Sequence, residues 1–326
     1  MKGKVLLAGA TGYIGRAVAR ELVARGYQVL ALVRPGRTLE LPGCSLNAVE
    51  LTDQAALLET LGRENFAAVV SCIASRTGVA ADAWLVDHDA NQNLLALARR
   101  TGAHRFVLLS AICVQKPRLA FQQAKLAFEQ SLMDSGMAYS IVRPTAFFES
   151  LSGQVERVRD GRPFLLFGDG EQTRCKPISE ADLARFMIDQ LDRSDEASAI
   201  LPIGGPGPAI SLRQQGEMIF ELLDRPAKFR SVPPGLLRYV SAVLGPFGRL
   251  SGKLADKAEL ARIGHYYATE SMLLWDETSA SYREDATPET GTDTLRDFYA
   301  RILEEGLHGQ ELGAQKLFRE VRKKKP

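Results

Sequence analysis

Short apolar runs alternate with longer amphipathic segments between Val5 and Arg143. Short continuous apolar runs are typical of strands buried on both faces of a parallel sheet, whereas apolar positions three or four apart are typical of a helix with one buried face. The runs predict six strands: Val5–Ala10, Gln28–Arg34, Ser45–Leu51, Ala67–Ala74, Arg105–Ala111 and Tyr139–Arg143.

Helical segments follow most of these strands. The first begins after a glycine-rich turn, has Ile14, Val18 and Leu22 on one face, and ends at Gly26. The others are predicted at 53–61, 82–100 and 119–135. Repeated strand–helix units are joined by right-handed crossovers and cover both faces of a sheet with helices. The sequence therefore predicts the α/β class, with a Rossmann-type, doubly wound parallel sheet.

The alternation weakens after about Ser150, and proline and glycine cluster over Pro202–Pro208. We therefore expect residues 1–150 to form a dinucleotide-binding domain. Residues 151–326 are expected to form mainly a smaller substrate-binding lobe, with some elements that return to the first domain.

Three segments of the second part do not fit a simple helical pattern. The stretches 168–176 and 278–292 are predicted as loops. The segment Pro233–Leu250 is apolar with two arginines, and its proline and glycine residues argue against one continuous amphipathic helix. Two interpretations of it stay open: it covers the ligand pocket or packs in the core, or it touches a membrane surface.

Composition and charge exclude several classes of protein. Of the 326 residues, 45% are hydrophobic and 25% are charged, which is typical of a globular chain. Lys and Arg together number 41 against 39 for Asp and Glu, so the formal net charge is only +2. Because this charge creates no strong positive field, nucleic acid is not an expected partner. No apolar run approaches the roughly 20 residues of a transmembrane helix.

The cysteines and histidines are scattered. Cys44, Cys72, Cys113 and Cys175 lie too far apart for a zinc ribbon or a locally spaced iron–sulfur site, and the histidines lack metal-binding spacing. No protein metal site is therefore predicted. The sequence passes from Met1 into the first strand without a signal or transit peptide, so we expect reduced thiols and a cytoplasmic location.

The most informative motif is GATGYIG, residues 9–15, between the first strand and the first helix. This is where the glycine motif of dinucleotide-binding sites lies. Its glycines allow a tight turn, close approach of the backbone to a pyrophosphate, and close packing of helix on strand, while the helix N-terminus attracts the phosphates. A purely structural glycine turn is the alternative. The residues assigned to the cofactor here are Gly9, Thr11, Gly12, Tyr13, Ile14 and Gly15.

The end of the second strand indicates which dinucleotide is bound. An NAD site usually has Asp or Glu there to hold the ribose 2′-hydroxyl. This chain has Arg34, followed by Arg37, and guanidinium groups suit the 2′-phosphate of NADPH. NADPH is therefore predicted, with a solvated surface charge as the alternative role of Arg34. Asp53, after the third strand, either faces the adenine or caps the following helix.

Several further stretches carry a more specific resemblance: Ser71–Thr77, Phe106–Pro117, Phe121–Glu129, Ser140–Ser150, Phe167–Glu180 and Leu201–Gly207. GATGYIG and Arg34 resemble the atypical, extended short-chain dehydrogenase/reductases near the NmrA-like and isoflavone-reductase-like groups. Within this branch, the six stretches resemble the NADPH-dependent divinyl chlorophyllide a 8-vinyl-reductases, and the similarity runs from about Lys4 to Phe318. Since no transit peptide is seen, the resemblance implies a bacterial member of this family.

The chain departs from the wider superfamily at its catalytic motif. Typical members have Tyr-x-x-x-Lys, in which the tyrosine exchanges a proton with a carbonyl or an alcohol and the lysine holds the ribose. Here the motif is Phe121-x-x-x-Lys125, so the phenol is missing. Ser110 ends the fifth strand, but Ala111 and Ile112 follow where the family usually has its catalytic hydroxyl. The departure disfavours a carbonyl reductase and fits reduction of a carbon–carbon double bond.

Lys125 and Ser110 are the predicted catalytic residues. Lys125 lies one helical turn after Phe121, so both are on one face of the helix. Two roles are open for Lys125: it holds the ribose hydroxyls of the cofactor, or it supplies the proton. Phe121 either packs in the core or lines the pigment pocket.

Ligands of this fold bind outside the carboxyl ends of the strands, so three strand ends are expected to border the nicotinamide. Besides Lys125, the cofactor contacts expected there are Cys72, Ile73, Ala74, Pro144, Thr145, Ala146 and Phe147. Substrate contacts are expected from aromatic rings, which offer a flat apolar surface, and from cations, which would pair with the propionate carboxylate of the chlorophyllide. These are Phe121, Phe148, Arg76, Arg174 and Lys176, with core packing or solvated charges as the alternatives.

The resemblance implies a role in chlorophyll or bacteriochlorophyll biosynthesis. The reaction would be NADPH-dependent reduction of the 8-vinyl group of divinyl chlorophyllide a, or of a closely related tetrapyrrole, to an ethyl group, by an oxidoreductase that acts on a CH–CH group. Magnesium would arrive with the pigment, and loose association with a membrane surface stays open. Two other interpretations are an isoflavone-reductase-like enzyme for another conjugated small molecule and an NmrA-like regulatory protein that binds NADP(H).

Overall fold

The computed structural model describes residues 2–36, 40–193, 198–244 and 252–306. The first half of the chain alternates strands with helices, and a π-helical turn at Trp84–Asp89 joins α3 to α4. The elements are β1 (Lys2–Ala8), α1 (Tyr13–Ala24), β2 (Tyr27–Val33), β3 (Cys44–Ala48), α2 (Gln54–Leu61), β4 (Ala68–Ser71), α3 (Ala80–Ala83), α4 (Ala90–Arg100), β5 (Arg105–Leu109), α5 (Ala120–Met133) and β6 (Ala138–Pro144).

The second half has shorter strands and more irregular connections. Its elements are α6 (Phe148–Leu151), α7 (Val155–Arg159), β7 (Phe164–Phe167), β8 (Arg174–Cys175), α8 (Glu180–Asp189), β9 (Ala199–Ile203), β10 (Ile210–Ser211), α9 (Leu212–Leu222), β11 (Phe229–Val232), α10 (Gly235–Leu244), α11 (Gly252–Thr269), β12 (Leu274–Asp276), β13 (Ser281–Arg283) and α12 (Leu295–Glu305).

The chain divides into two compact units, and neither is continuous in sequence. The first contains the residues up to Pro144 together with Glu180–Ile203. The second contains Thr145–Ser179 and the described residues from Gly204 onward. The chain therefore passes from one unit to the other three times.

A seven-stranded parallel sheet forms the centre of the first unit, in the order β3-β2-β1-β4-β5-β6-β9. Strands are added outward on both sides of β1 and β4, so the direction of the crossovers reverses between these two strands. In doubly wound sheets, this reversal opens the crevice in which nucleotides bind. The fully buried Leu6, Val69 and Phe106 belong to the apolar core between the sheet and its helices. The predicted Rossmann-type fold is confirmed.

The six predicted strands correspond to β1–β6, but the seventh strand was not predicted. Pro202 lies within β9, where Arg143 of β6 is its partner in the register. Proline has no N–H to donate, which an edge strand tolerates because only one of its sides is paired. The cluster of proline and glycine therefore begins inside the sheet.

The second unit contains three two-stranded pairs: β7 with β11, β8 with β10, and β12 with β13. Its core includes the buried rings of Phe148, Phe164, Phe220, Phe298 and Tyr299. The loop predictions for 168–176 and 278–292 are wrong in part, because these stretches contain β8 and β13. Both strands have only two or three residues, so their pairing leaves no periodic pattern in the sequence.

Within Pro233–Leu250, where one continuous amphipathic helix was not expected, the helix α10 covers Gly235–Leu244, and no residue of this helix is buried. The core interpretation of these residues is therefore wrong. Leu236, Tyr239 and Val243 are among its exposed side chains. Residues 245–250 of the segment lie outside the described residues. No helix in the described part of the chain is both long and apolar enough to span a bilayer.

Candidate functional site

The turn between β1 and α1 lies at the point where the strand order reverses. Gly9 has a φ of +83°, which side-chain-bearing residues rarely adopt. A Cβ on Gly9 would lie 2.5 Å from the carbonyl carbon of Cys72, and a Cβ on Gly15 would lie 2.0 Å from the Gly9 oxygen. Both close approaches require glycine: that of Gly9 holds the turn against the end of β4, and that of Gly15 packs the start of α1 against the turn.

The N-terminus of α1 is open to an anion. Its N-cap is Gly12, no side chain caps the helix, and its first turn contains no acidic residue. The neighbouring Arg16 donates from Nε to the Thr11 carbonyl oxygen at 3.1 Å. Backbone N–H groups and the positive end of the helix dipole suit a pyrophosphate. The turn therefore fits the dinucleotide that the sequence predicts.

Two other predicted residues of this motif have structural contacts. The Tyr13 hydroxyl donates to the Glu180 carboxylate at the start of α8, so this side chain links α1 to α8. Ile14 is buried. At these two positions, contacts with the cofactor are therefore expected from the backbone at the start of the helix and not from the side chains.

The predicted 2′-phosphate residue Arg34 lies directly after β2 and is exposed. Because Ala8 pairs with Leu32, Arg34 extends past the end of β1 beside the glycine turn. Asp53 is the N-cap of α2, and its Oδ1 accepts from the Ala56 N–H at 3.0 Å, so the capping role is the one observed. Arg37 lies outside the described residues.

The end of β4 brings Cys72, Ile73 and Ala74 beside the turn. The Cys72 N–H donates to the Ala8 oxygen at 2.9 Å, Ile73 is buried, and Ala74 is exposed. Burial raises the pKa of the Cys72 thiol to about 12. The thiol is therefore protonated at neutral pH and offers no nucleophile, and the same holds for Cys175, whose pKa burial also raises to about 12.

Lys125 forms a buried ion pair that the sequence analysis did not predict. Its Nζ lies 2.9 Å from Oδ1 of Asp87, which is fully buried, and the lysine side chain is 11% exposed. The Ser75 N–H also faces this carboxylate, 3.4 Å from each oxygen. Asp87 lies in the π-helical turn, a distortion often found at functional sites. The pair fixes the ammonium group beside the end of β4.

Asn91 connects this pair to the sheet. Its Nδ2 donates to the Asp87 carbonyl oxygen at 3.0 Å, and its Oδ1 accepts from the Ser71 hydroxyl at 2.6 Å. Asp87 and Asn91 lie four residues apart on a helix face that is otherwise apolar. This interruption is the signal by which the sequence could have identified them.

Ser110 belongs to a second buried network. Its hydroxyl donates to Glu129, which is fully buried, and both carboxylate oxygens of Glu129 accept from the Arg143 guanidinium. The hydroxyl hydrogen of Ser110 is therefore engaged, and only its oxygen lone pairs remain to contact a ligand. Ser110 and Lys125 border the same small gap between side chains, together with Asp87 and Asn91.

The predicted substrate residues of the first unit are Phe121 and Arg76. Phe121 is half-buried in the first turn of α5, one turn before Lys125. Arg76 is exposed after β4. Pro144, a predicted cofactor contact, is the buried last residue of β6.

The other predicted contacts lie in the second unit. Thr145 donates from its hydroxyl to the Lys176 carbonyl oxygen, and the Ile178 N–H donates to the Ala146 oxygen at 2.9 Å. Phe147 forms a β-bridge with Ile178. Lys176 is buried and its Nζ lies 3.4 Å from the Glu289 carboxylate.

The two remaining candidates of this unit, the cationic Arg174 and the aromatic Phe148, differ in exposure. Arg174 is exposed, with its guanidinium 3.8 Å from the Glu171 carboxylate. Phe148 is only 2% exposed, and its ring centroid lies 5.5 Å from that of Phe298. The assignment of Phe148 to a pigment-binding surface is therefore corrected, because its ring is part of the core.

The chain is similar to known proteins along most of its length. A family model described as NAD(P)H-binding matches residues 9–194. The chain is 47% identical to a chloroplastic divinyl chlorophyllide a 8-vinyl-reductase from Cucumis sativus, with 96% of this chain and 79% of the relative covered. It is 48% identical to the Zea mays protein of the same name, with 96% and 82% covered.

Solved structures share the fold at lower identity. The Escherichia coli NADPH-dependent quinone oxidoreductase QOR2, complexed with NADPH, has a TM-score of 0.66 and 17% identity, with 92% of this chain and 99% of that chain covered. MoeE5 in complex with UDP-glucose and NAD has a TM-score of 0.68 and 20% identity, with 93% and 98% covered. At these identities the likeness shows the Rossmann-type fold.

Proposed function

The chain belongs to the family of divinyl chlorophyllide a 8-vinyl-reductases, and we propose that it uses NADPH to reduce the 8-vinyl group of divinyl chlorophyllide a, or of a closely related tetrapyrrole, to an ethyl group. The observation that carries this proposal is a dinucleotide-binding turn at the ligand edge of the sheet together with the buried Lys125–Asp87 pair, with Phe121 standing one helical turn before Lys125 in place of a tyrosine. The protein is thus an oxidoreductase that acts on a CH–CH group.

The bound cofactor would supply a hydride, and the protein would position the cofactor relative to the substrate. The backbone of the glycine turn would hold the pyrophosphate. The Lys125 ammonium has three N–H donors. Asp87 occupies one of them and fixes the group, which leaves two donors for the ribose hydroxyls. We therefore assign Lys125 the holding role.

Reduction of the vinyl group also needs a proton, because hydride goes to one carbon and a proton to the other. Ser110 donates its hydroxyl hydrogen to Glu129, so its oxygen acts as an acceptor toward the ligands. The proton then comes from the Lys125 ammonium or from water. Ser110 contributes to catalysis by orientation rather than by proton donation.

The preference for NADPH is assigned to Arg34. Replacing Arg34 by Ala is expected to raise KM for NADPH about tenfold, the loss typical of one charge-assisted hydrogen bond, while kcat and KM for NADH change little. Steady-state kinetics with both cofactors measure this effect. Arg20→Ala removes another exposed arginine, on α1, and serves as the matched control. An unchanged KM for NADPH would contradict the assignment.

The decisive experiment mixes the purified protein with NADPH and divinyl chlorophyllide a. Loss of the 8-vinyl group from the conjugated ring shifts the Soret absorption band to shorter wavelength, so the shift reports turnover. NADPH binding without a shift would overturn the proposed reaction and favour a regulatory protein that binds NADP(H).

We extend the proposal to the cellular setting, as a bacterial cytoplasmic enzyme of chlorophyll or bacteriochlorophyll synthesis. Free thiols at all four cysteines support a reducing compartment. The exposed Leu236, Tyr239 and Val243 of α10 support loose contact with a membrane surface.

A further inference from the structure

Two large apolar side chains, Trp84 and Leu85, are exposed close to the Lys125–Asp87 pair. Trp84 is 41% exposed and Leu85 is 48% exposed, although both belong to the π-helical turn that buries Asp87. Neither has a role in the cofactor site described above. Exposed apolar groups that adjoin one another mark interaction surfaces, whereas single scattered ones need no explanation.

Two side-chain contacts place Trp84 relative to α5. Asp87 pairs with Lys125, and Gln92 donates from Nε2 to the Ser131 hydroxyl at 2.6 Å. The offset in residue number is nearly the same for both pairs, so the two helical segments run side by side in the same direction. Trp84 is therefore level with the start of α5, where Phe121 is half-buried.

The starts of these helices lie toward the ligand edge of the sheet. Each helical segment follows a strand, β4 or β5, whose carboxyl end is at that edge, and a crossover helix begins there before it runs back across the sheet. Trp84, Leu85 and Phe121 therefore lie on the side of the fold where the cofactor turn and Lys125 are found.

The indole of Trp84 is held in place. It forms a T-shaped contact with the His88 ring, with the centroids 5.3 Å apart, and Nδ1 of His88 lies 2.7 Å from the Asp89 carboxylate. An aromatic ring with a supported orientation presents a face for stacking without further loss of side-chain freedom. A tetrapyrrole is a flat conjugated ring, which matches this face in chemistry and shape.

We propose that Trp84, flanked by Leu85 and Phe121, forms the surface on which the tetrapyrrole ring of the substrate stacks. This inference rests on the proposed function and identifies where its substrate is bound. The stacked ring covers the exposed indole, and Lys125, one helical turn after Phe121, is neutralised by its pair with Asp87.

The test measures pigment binding separately from turnover. Trp84→Ala, Trp84→Phe and Trp275→Phe are compared with the wild type, since Trp275 is the other tryptophan of the chain and packs against Tyr282 in the second unit. Equilibrium dialysis gives the Kd of the product, monovinyl chlorophyllide a, and of NADPH. Steady-state kinetics give kcat and KM for the divinyl substrate.

We expect Trp84→Ala to raise the Kd of the pigment and the KM of the substrate about tenfold, because stacking and burial of the indole are lost. The Kd of NADPH should stay within about twofold for every variant, since independent sites behave additively. Trp84→Phe should retain most of the affinity, and Trp275→Phe should behave as the wild type.

Two outcomes would overturn the stacking surface. One is an unchanged pigment Kd for Trp84→Ala. The other is a loss of affinity that accompanies a change in molar mass by light scattering, which would assign Trp84 to an interface between copies of the chain. Failure of the proposed reaction is distinguishable, because pigment binding that depends on Trp84 without a Soret shift would retain the surface and reject the reductase.

Discussion

Replacing Lys125 by Met lowers kcat for the vinyl reduction by about 100-fold, because the ammonium that positions the reacting end of the cofactor is lost. The ion pair between Lys125 and Asp87 leads to a second, related prediction. Asp87→Asn preserves the shape of the side chain but removes its charge, so the lysine stays in place less firmly, and kcat is expected to fall about tenfold. Single-turnover and steady-state measurements of the Soret shift determine both rates.

The matched control for this pair is Lys228→Met, which removes an exposed lysine of the second unit. Its rate should equal that of the wild type. A Lys125→Met variant with a near-normal rate would remove Lys125 from the site. A slow Lys125→Met variant together with a normal Asp87→Asn variant would show that the buried carboxylate does not position the ammonium.

Replacing Glu129 by Ala lowers the free energy of unfolding by about 3–5 kcal/mol, the range observed when one partner of a buried ion pair is removed. The Arg143 guanidinium would lose its carboxylate while its side chain stays mostly buried, and the Ser110 hydroxyl would lose its acceptor. Urea unfolding, followed by circular dichroism, measures the change.

The double variant Glu129→Leu with Arg143→Met is the control for this interpretation. It replaces both charges with apolar groups and should recover most of the stability, because an apolar pair of similar volume is often as stable as a buried ion pair. A loss below about 1 kcal/mol for Glu129→Ala would contradict the assigned role, since that is an ordinary value for a single substitution.

The nucleotide-binding turn could be predicted from the sequence because its determinants are local. The spacing of Gly9, Gly12 and Gly15, a preceding apolar run and a following amphipathic helix are all contained in one short segment. The contacts of Gly9 with the end of β4 then give the geometry that the spacing implies. Most of the central sheet is predictable for the same reason, since strands such as β2, β4 and β5 are continuous apolar runs.

The buried networks could not be predicted in the same way because their partners are distant in sequence. Asp87 and Lys125 lie on neighbouring helical segments, and Glu129 contacts Ser110, directly after β5, and Arg143 of β6. Each is a charged residue on a helix, which in isolation is indistinguishable from a surface charge. Phe148 shows the converse: an aromatic residue next to a predicted ligand site is buried, because Phe298 from the far end of the chain packs against it.

The discontinuity of the first unit has a consequence for how the protein is made. A nascent chain that has reached Pro144 presents β6 with one edge unpaired, and this edge persists until Ala199–Ile203 has left the ribosome. α8, which holds Tyr13 through Glu180, is also synthesised late. The first unit therefore cannot be completed on the ribosome until the intervening segment has been made. An unpaired edge strand is a template for aggregation. Gene fragments that end near residue 150 should therefore require chaperones to remain in solution.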